Sequence, residues 1–447
     1  MKKKIGDLIM GDKGIWTVFL FLCIISIIEV FSASSTLTYK SQNYMSPMIY
    51  HVGTLLVGVL VTVITVRIPC RYFKLVTPIM LLLSFATLLW VLIWGESING
   101  ANRVIQLPGF TFQPSEIAKG TLVLATAQIL SAMQRENGSG ADEKAMKYIL
   151  MAAIPFLFLI GVENLSTAGL IFMVLFVMMF IGRVPMQQMG KLMGALVLLV
   201  GIVLTLTLTI GSMEDDSDKS KTATEQTEQI VNGQPVTVSE AQADDEGFFK
   251  KVFHRFSTWR NRIVSHSDTK NVPAEKYNVQ ENFQVAHANF AISSSGLLGK
   301  GPGNSVERDY LPQAFSDFIF AIIIEEMGLV GAFAVVFLYI ILLFRTARIA
   351  GRCENNFPAL LIMGLALLLV FQAVINMMVA VEIFPVTGQP LPLISKGGTS
   401  TIVNCAYIGM ILSVSHTARQ KETKKKRALV KEPVEKIDYN EDNEDDI

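Results

Sequence analysis

The chain has 447 residues, 51% of them apolar, and its 38 basic and 38 acidic side chains cancel. A mean hydropathy of +0.44 excludes an ordinary soluble protein of this size. The charges are segregated: polar segments alternate with apolar runs of roughly 18 to 24 residues, the length that crosses a bilayer as a helix.

That alternation predicts an all-α polytopic membrane protein of about ten transmembrane helices. They fall near 14–34, 49–66, 73–94, 114–133, 147–162, 167–183, 189–212, 315–344, 357–381 and 398–416. The basic start, Met1 to Lys4, followed by an apolar run from Gly14 to Ser32, resembles a signal anchor retained as the first span. Lys and Arg crowd alternate short loops (Arg67, Arg71, Lys74; Arg135, Lys144, Lys147; Arg345, Arg348, Arg352), which places both termini in the cytoplasm. Six segments follow: 1–13, a cytoplasmic N-terminus; 14–212, spans one to seven; 213–246, a disordered acidic insertion; 247–314, the ordered part of a large extracytoplasmic loop; 315–418, the last three spans; and 419–447, a disordered cytoplasmic tail. Within the loop, 247–260 reads as an amphipathic surface helix carrying Arg255. The four cysteines lack paired spacing, so neither a disulfide framework nor a metal site is indicated, and no nucleic-acid partner is expected.

Three clusters depart from the apolar background. The first runs from Asn99 through Arg103 to Lys119, with Pro114 suited to a first helical turn and Glu116 and Lys119 on one helix face. A lysine inside a span needs a carboxylate or an anionic ligand, so Lys119 pairs with Glu116, Glu325 or Glu326, or holds an anionic head group. The second is Tyr310 to Gly331, where Asp317 follows a predicted helix cap, Ser316, and Glu325 and Glu326 follow two turns later. Just before it stands a glycine loop, Gly299 to Gly303, with Lys300. The third is Phe384 to Ser400, too rich in Pro and Gly for a helix and containing Lys396. Together they imply an outward-facing cavity with a carboxylate as general base and cations for a phosphate or diphosphate. A transporter with a proton relay uses the same groups.

The three clusters, in this order, resemble the SEDS family (shape, elongation, division and sporulation proteins), over nearly the whole chain outside 213–246 and the tail. The division branch is the nearer likeness, with the elongation branch open. The resemblance implies a peptidoglycan glycosyltransferase in the bacterial cytoplasmic membrane that polymerises lipid II at the outer face. Asp317 would be the general base; Arg103, Lys119, Glu116, Lys300, Lys396 and Ser400 would serve the substrate diphosphate, supported by Glu325, Glu326 and Arg255. It further implies a class B penicillin-binding transpeptidase and other division proteins as partners, membrane lipid around the spans, and a divalent cation (Mg or Mn) whose ligands cannot be read. A lipid II flippase is the rival activity, and a structural scaffold the third. Val104 stands where many members carry Trp, and Glu163-Asn164 where an acidic residue follows proline.

Overall fold

The computed structural model describes residues 10–33, 46–98, 101–107, 110–135, 140–202, 205, 283–311 and 314–431. The insertion at 213–246, the expected surface helix at 247–260 and the end of the tail lie outside them.

The chain is a helical membrane protein. Helices α1 (Lys13–Ala33), α2 (Ser46–Val66) and α3 (Cys70–Trp94) lead into α4 (Pro114–Ala132), α5 (Lys144–Glu163) and α6 (Leu165–Ile181). They are followed by α7 (Met186–Ile202), the short outer helix α8 (Phe283–Ser295), then α9 (Ile319–Ala350), α10 (Asn356–Ala380) and α11 (Gly398–Lys431). Among the described residues seven helices are long and apolar enough to cross a membrane, and α6 and α7 are shorter apolar helices. Helix α4 combines an apolar body with a buried Glu116 and Lys119.

Packing sorts the helices. Helices α4 and α10 bury most of their length, and with α9 and α11 they form the core around Leu122, Ile322, Leu365 and Ile408. Peripheral α3 leaves Leu75, Ile79 and Leu82 exposed as a stripe at helical spacing, the surface that lipid covers. Close contact between α4 and α11 is closed by the Tyr407 hydroxyl, which donates to the Glu116 carbonyl at 2.6 Å.

Three features differ from the expectation. Helix α11 runs on to Lys431, through the start of the 419–447 tail that was expected to be disordered. The loop between α3 and α4 is a small antiparallel sheet of β1 (Glu96–Ile98), β2 (Ala101–Leu107) and β3 (Phe110–Phe112). Turn dipeptides Asn99-Gly100 and Pro108-Gly109 were its sequence signal. And Ser316 is not a helix cap: 314–318 form turns, Phe318 occupies the cap position, and α9 starts at Ile319.

Helix α9 is bent at Gly328, whose φ of 69° and ψ of −170° lie outside the helical region. The bend exists because the glycine loop folds back on it. Gly299 (φ +74°) lies against the Glu326 carbonyl and the Gly328 amide, where no Cβ fits. The backbone amides of Lys300 and Gly301 donate to the carbonyls of Glu325 and Glu326, which the bend leaves available, at 2.9 and 2.8 Å.

Candidate active site

The segment between α10 and α11 does not cross back as helix. It turns at Glu382, Gly388 and Leu393, all with positive φ, and re-enters the protein. Its carbonyls are tied down one by one. Gln372 on α10 donates to the Pro390 carbonyl at 3.0 Å, and Tyr339 on α9 donates to the Pro392 carbonyl. Ser395 donates to the Ser316 carbonyl at 2.6 Å and accepts from the Leu391 amide at 2.7 Å. The Lys396 amide donates to the Phe315 carbonyl at 2.9 Å. Polar side chains of the core thus satisfy backbone that could not otherwise be buried.

This re-entrant segment holds the Asp317 turn against the starts of three helices. A cavity of about 190 Å³ opens between them, lined by Asp317 and Ser316, by Gln113 and Glu116 at the start of α4, and by Asn164 at the start of α6. Lys396 and Gly397 to Ser400 at the start of α11, with Val104 and Thr111 from the sheet, complete the wall. Each helix N-terminus carries roughly half a positive charge on its unpaired amides. Together with Lys396, these ends make the wall facing Asp317 suited to an anion, in the manner of phosphate sites at helix starts.

Asp317 is half-buried, its Oδ1 accepting from the Ser316 hydroxyl at 2.9 Å. Its backbone carbonyl accepts from the Asn376 amide at 2.8 Å, and the same amide nitrogen donates to the Gln389 carbonyl at 2.8 Å. Gln389 in turn donates to Thr167 on α6 at 2.7 Å. Lys396 lies with Nζ 4.9 Å from the centre of the Phe315 ring, and burial lowers its pKa from the ordinary lysine value.

Several expected site residues sit elsewhere. Lys119 is fully buried and does not line the cavity. Its Nζ is 2.8 Å from both Glu116 Oε1 and Gln372 Oε1, so it acts beneath the cavity as an ion-pair partner instead of touching a ligand. Glu325, Glu326 and Lys300 also lie outside the cavity lining, in a separate cluster. Lys300 Nζ is 2.6 Å from Glu325 Oε1, and the Val306 amide donates to the same oxygen at 3.0 Å. Glu326 accepts from Ser32 on α1 and from the Gly303 amide at 2.9 Å. These carboxylates pin the glycine loop to the bent helix. Arg103 is the extra residue where the β1–β2 register shifts, Glu96 facing Val104 and Ser97 facing Asn102; its side chain lies outside the described residues, as does Arg255.

Gln372, Asn376 and Thr167 are not singled out by the sequence; Gln389 lies inside the Phe384–Ser400 cluster and Asn164 in the Glu163-Asn164 departure, neither with a role at the site. The signal for two of them was present: Gln372 and Asn376 are one turn apart in an otherwise apolar helix.

A divalent cation was expected at this site. Among the described residues no group of three or more metal-binding side chains occurs. The cavity does offer the carboxylates of Asp317 and Glu116, and Glu116 Oε2 is buried with no hydrogen-bond partner. That donor set fits a hard cation such as Mg²⁺, which takes one or two carboxylates and completes its shell with water and phosphate oxygens.

A 25% identical relative from Enterococcus hirae, named "Probable peptidoglycan glycosyltransferase FtsW", aligns over 96% of this chain and 97% of its own. The "Peptidoglycan glycosyltransferase MrdB" of Escherichia coli K12 is 26% identical over 94% of this chain and 97% of its own. A chain from a solved structure titled "Structural coordination of polymerization and crosslinking by a peptidoglycan synthase complex" superposes with a TM-score of 0.65 at 23% identity, covering 92% of this chain and 99% of that one. The Thermus thermophilus rod shape determining protein RodA superposes with a TM-score of 0.58 at 22% identity, covering 91% and 97%. The family model described as "Cell cycle protein" matches residues 12–231 and 248–420, so the chain is a multi-pass membrane protein belonging to the FtsW/RodA/SpoVE family of cell cycle proteins.

Proposed function

We propose that this protein is a peptidoglycan glycosyltransferase of the bacterial cytoplasmic membrane, polymerising lipid II into glycan strands. The observation that carries this reading is the placement of the Asp317 carboxylate across one small cavity from Lys396 and the starts of α4, α6 and α11. Glycosyl transfer from a lipid diphosphate needs a base for the acceptor and a positive wall for the leaving group.

Asp317 accepts the proton of the acceptor GlcNAc 4-hydroxyl as its oxygen forms a bond to the anomeric carbon of the donor MurNAc. The bond from that carbon to the undecaprenyl diphosphate breaks, and the anomeric configuration inverts. Lys396, the first-turn amides of α11 and the start of α4 hold the negative charge that develops on the departing diphosphate. Arg103, next in sequence to cavity-lining Val104, is assigned to the same diphosphate by the family likeness of its motif, not by its side-chain position. Glu116 would hold a bound divalent cation, which supplies further charge neutralisation at the diphosphate. Lys119 and Gln372 keep Glu116 and the re-entrant segment in place. The N- and C-termini face the cytoplasm, ten helices cross the bilayer, and the cavity opens outward.

A class B transpeptidase crosslinks the product, and spans α9 and α10 are its contacts. Relatives named FtsW and MrdB both carry the name peptidoglycan glycosyltransferase, and the reaction proposed is common to them. The test is purified protein with its transpeptidase, given lipid II in detergent. Glycan polymer is the expected product. Transport of lipid II across sealed vesicles without polymer would establish the flippase instead.

A further inference from the structure

A second cavity, of about 750 Å³, lies at the far ends of the helices that frame Asp317. It is lined by Arg71 and Lys74 at the start of α3, Ser131 at the end of α4, and the 352–358 segment between α9 and α10. Val414, Thr417 and Lys421 on α11 close it. The bent helix α9, 32 residues long, runs between the two cavities.

Four cations reach this cavity: Arg71, Lys74, Arg352 and Lys421. Two are balanced, Lys421 by Glu354 at 3.0 Å and Arg352 by Glu422 at 3.7 Å. Arg71 rests on the Tyr72 ring, its guanidinium carbon 5.0 Å from the centroid, and neither it nor Lys74 has a carboxylate within ion-pair distance among the described residues. Helices α3 and α10 both start at the cavity, and neither Pro69 nor Asn355 caps its helix with a side chain; the Tyr72 amide is taken by the Pro69 carbonyl, which leaves the Cys70 and Arg71 amides of α3 and the Asn356 and Phe357 amides of α10 without a cap. The tendency of Lys and Arg to collect on one membrane side accounts for the number of cations but not for their convergence on a concave site with two helix starts. That combination is built for a phosphate.

The wall beside it selects the source of that phosphate. From Arg71 and Lys74, the outer face of α3 continues as exposed Leu75, Ile79 and Leu82. A phosphate seated at Arg71 and Lys74 therefore stands at the foot of an apolar track that acyl chains can follow into the bilayer. Lys421, on the cavity rim, opens a basic run along α11 that continues with Lys424, Lys425, Lys426 and Arg427.

We propose that this cavity binds the phosphate head group of an anionic membrane phospholipid, with Arg71 and Lys74 as its anchors. The test uses the full chain in detergent, incubated with equimolar phosphatidylglycerol and phosphatidylcholine, the retained lipid being counted by native mass spectrometry. Wild type is expected to keep one phosphatidylglycerol in preference to phosphatidylcholine. The variant Arg71→Gln/Lys74→Gln, at two exposed positions, should bind it on the order of ten-fold more weakly, whereas Lys144→Gln/Lys147→Gln, outside the cavity on the same side, should not. Equal loss in both variants, or no preference between the two lipids, would overturn the proposal. Full displacement of the lipid by millimolar inorganic phosphate would also overturn it, assigning the site to a soluble anion.

Discussion

Asn376 holds the Asp317 turn by that turn's backbone: one side-chain amide nitrogen donates to the carbonyls of Asp317 and Gln389, both at 2.8 Å. Buried at 1% exposure, it joins the Asp317 turn to the re-entrant segment that carries Lys396. The proposed base and the cavity wall that faces it are thereby registered to each other through one side chain on α10.

Asn376→Leu keeps the volume but removes the donor from both carbonyls, and the buried Gln389 carbonyl left unsatisfied costs about 1–3 kcal/mol. Released from this clamp, Asp317 drifts, and turnover should fall on the order of 100-fold with little change in KM. Steady-state polymerisation on lipid II, beside a melting curve, checks this. A loss that tracked unfolding alone would remove Asn376 from the positioning role.

Lys119→Met should destabilise the protein by about 3–5 kcal/mol, because Glu116 is then left charged and unpaired in the core. The double variant Lys119→Met/Glu116→Gln should recover most of that stability. Thermal unfolding in detergent distinguishes them. Activity would stay low in the double variant, since Glu116 lines the cavity.

Lys396 is charged below its pKa and neutral above it. Burial lowers that pKa, so rising pH strips the charge earlier than from an exposed lysine. Polymerisation should therefore decline on the alkaline side as Lys396 deprotonates. Lys396→Arg, charged throughout, should move that decline to higher pH, and an unmoved pH profile would show that the charge at 396 does not matter.

Gly299→Ala forces a side chain into a left-handed position, which costs about 1–2 kcal/mol before any clash with the Glu326 carbonyl. Amide exchange over 296–308 should accelerate while α10 stays protected. Unchanged exchange there would mean the glycine loop is not held by its contact with α9.

The helical segments, the three clusters and the shared helix face of Glu116 and Lys119 were legible in the sequence, because hydropathy and helical spacing are local signals; which of Glu116, Glu325 and Glu326 pairs with Lys119 is not decided by the sequence, and the structure selects Glu116. So was the convergence of Asp317, Lys396 and Ser400, through the likeness of their motifs. What was not legible is which polar groups face which side of a bent helix. Glu325 and Glu326 are only two turns from Asp317 in sequence, but the Gly328 bend and the folded-back glycine loop claim both, along with Lys300. The Gln372 and Asn376 clamps were hidden for the opposite reason: their partners are backbone carbonyls of a distant segment, which no side-chain pattern announces.

The decisive measurement is glycan synthesis from lipid II by purified Asp317→Asn with its transpeptidase, beside wild type. The variant keeps the size and the hydrogen bond to Ser316 but cannot accept the acceptor's proton. Correctly folded protein that still binds lipid II and makes no polymer is the predicted result. Polymer at the wild-type rate would contradict the assignment of Asp317 as the base.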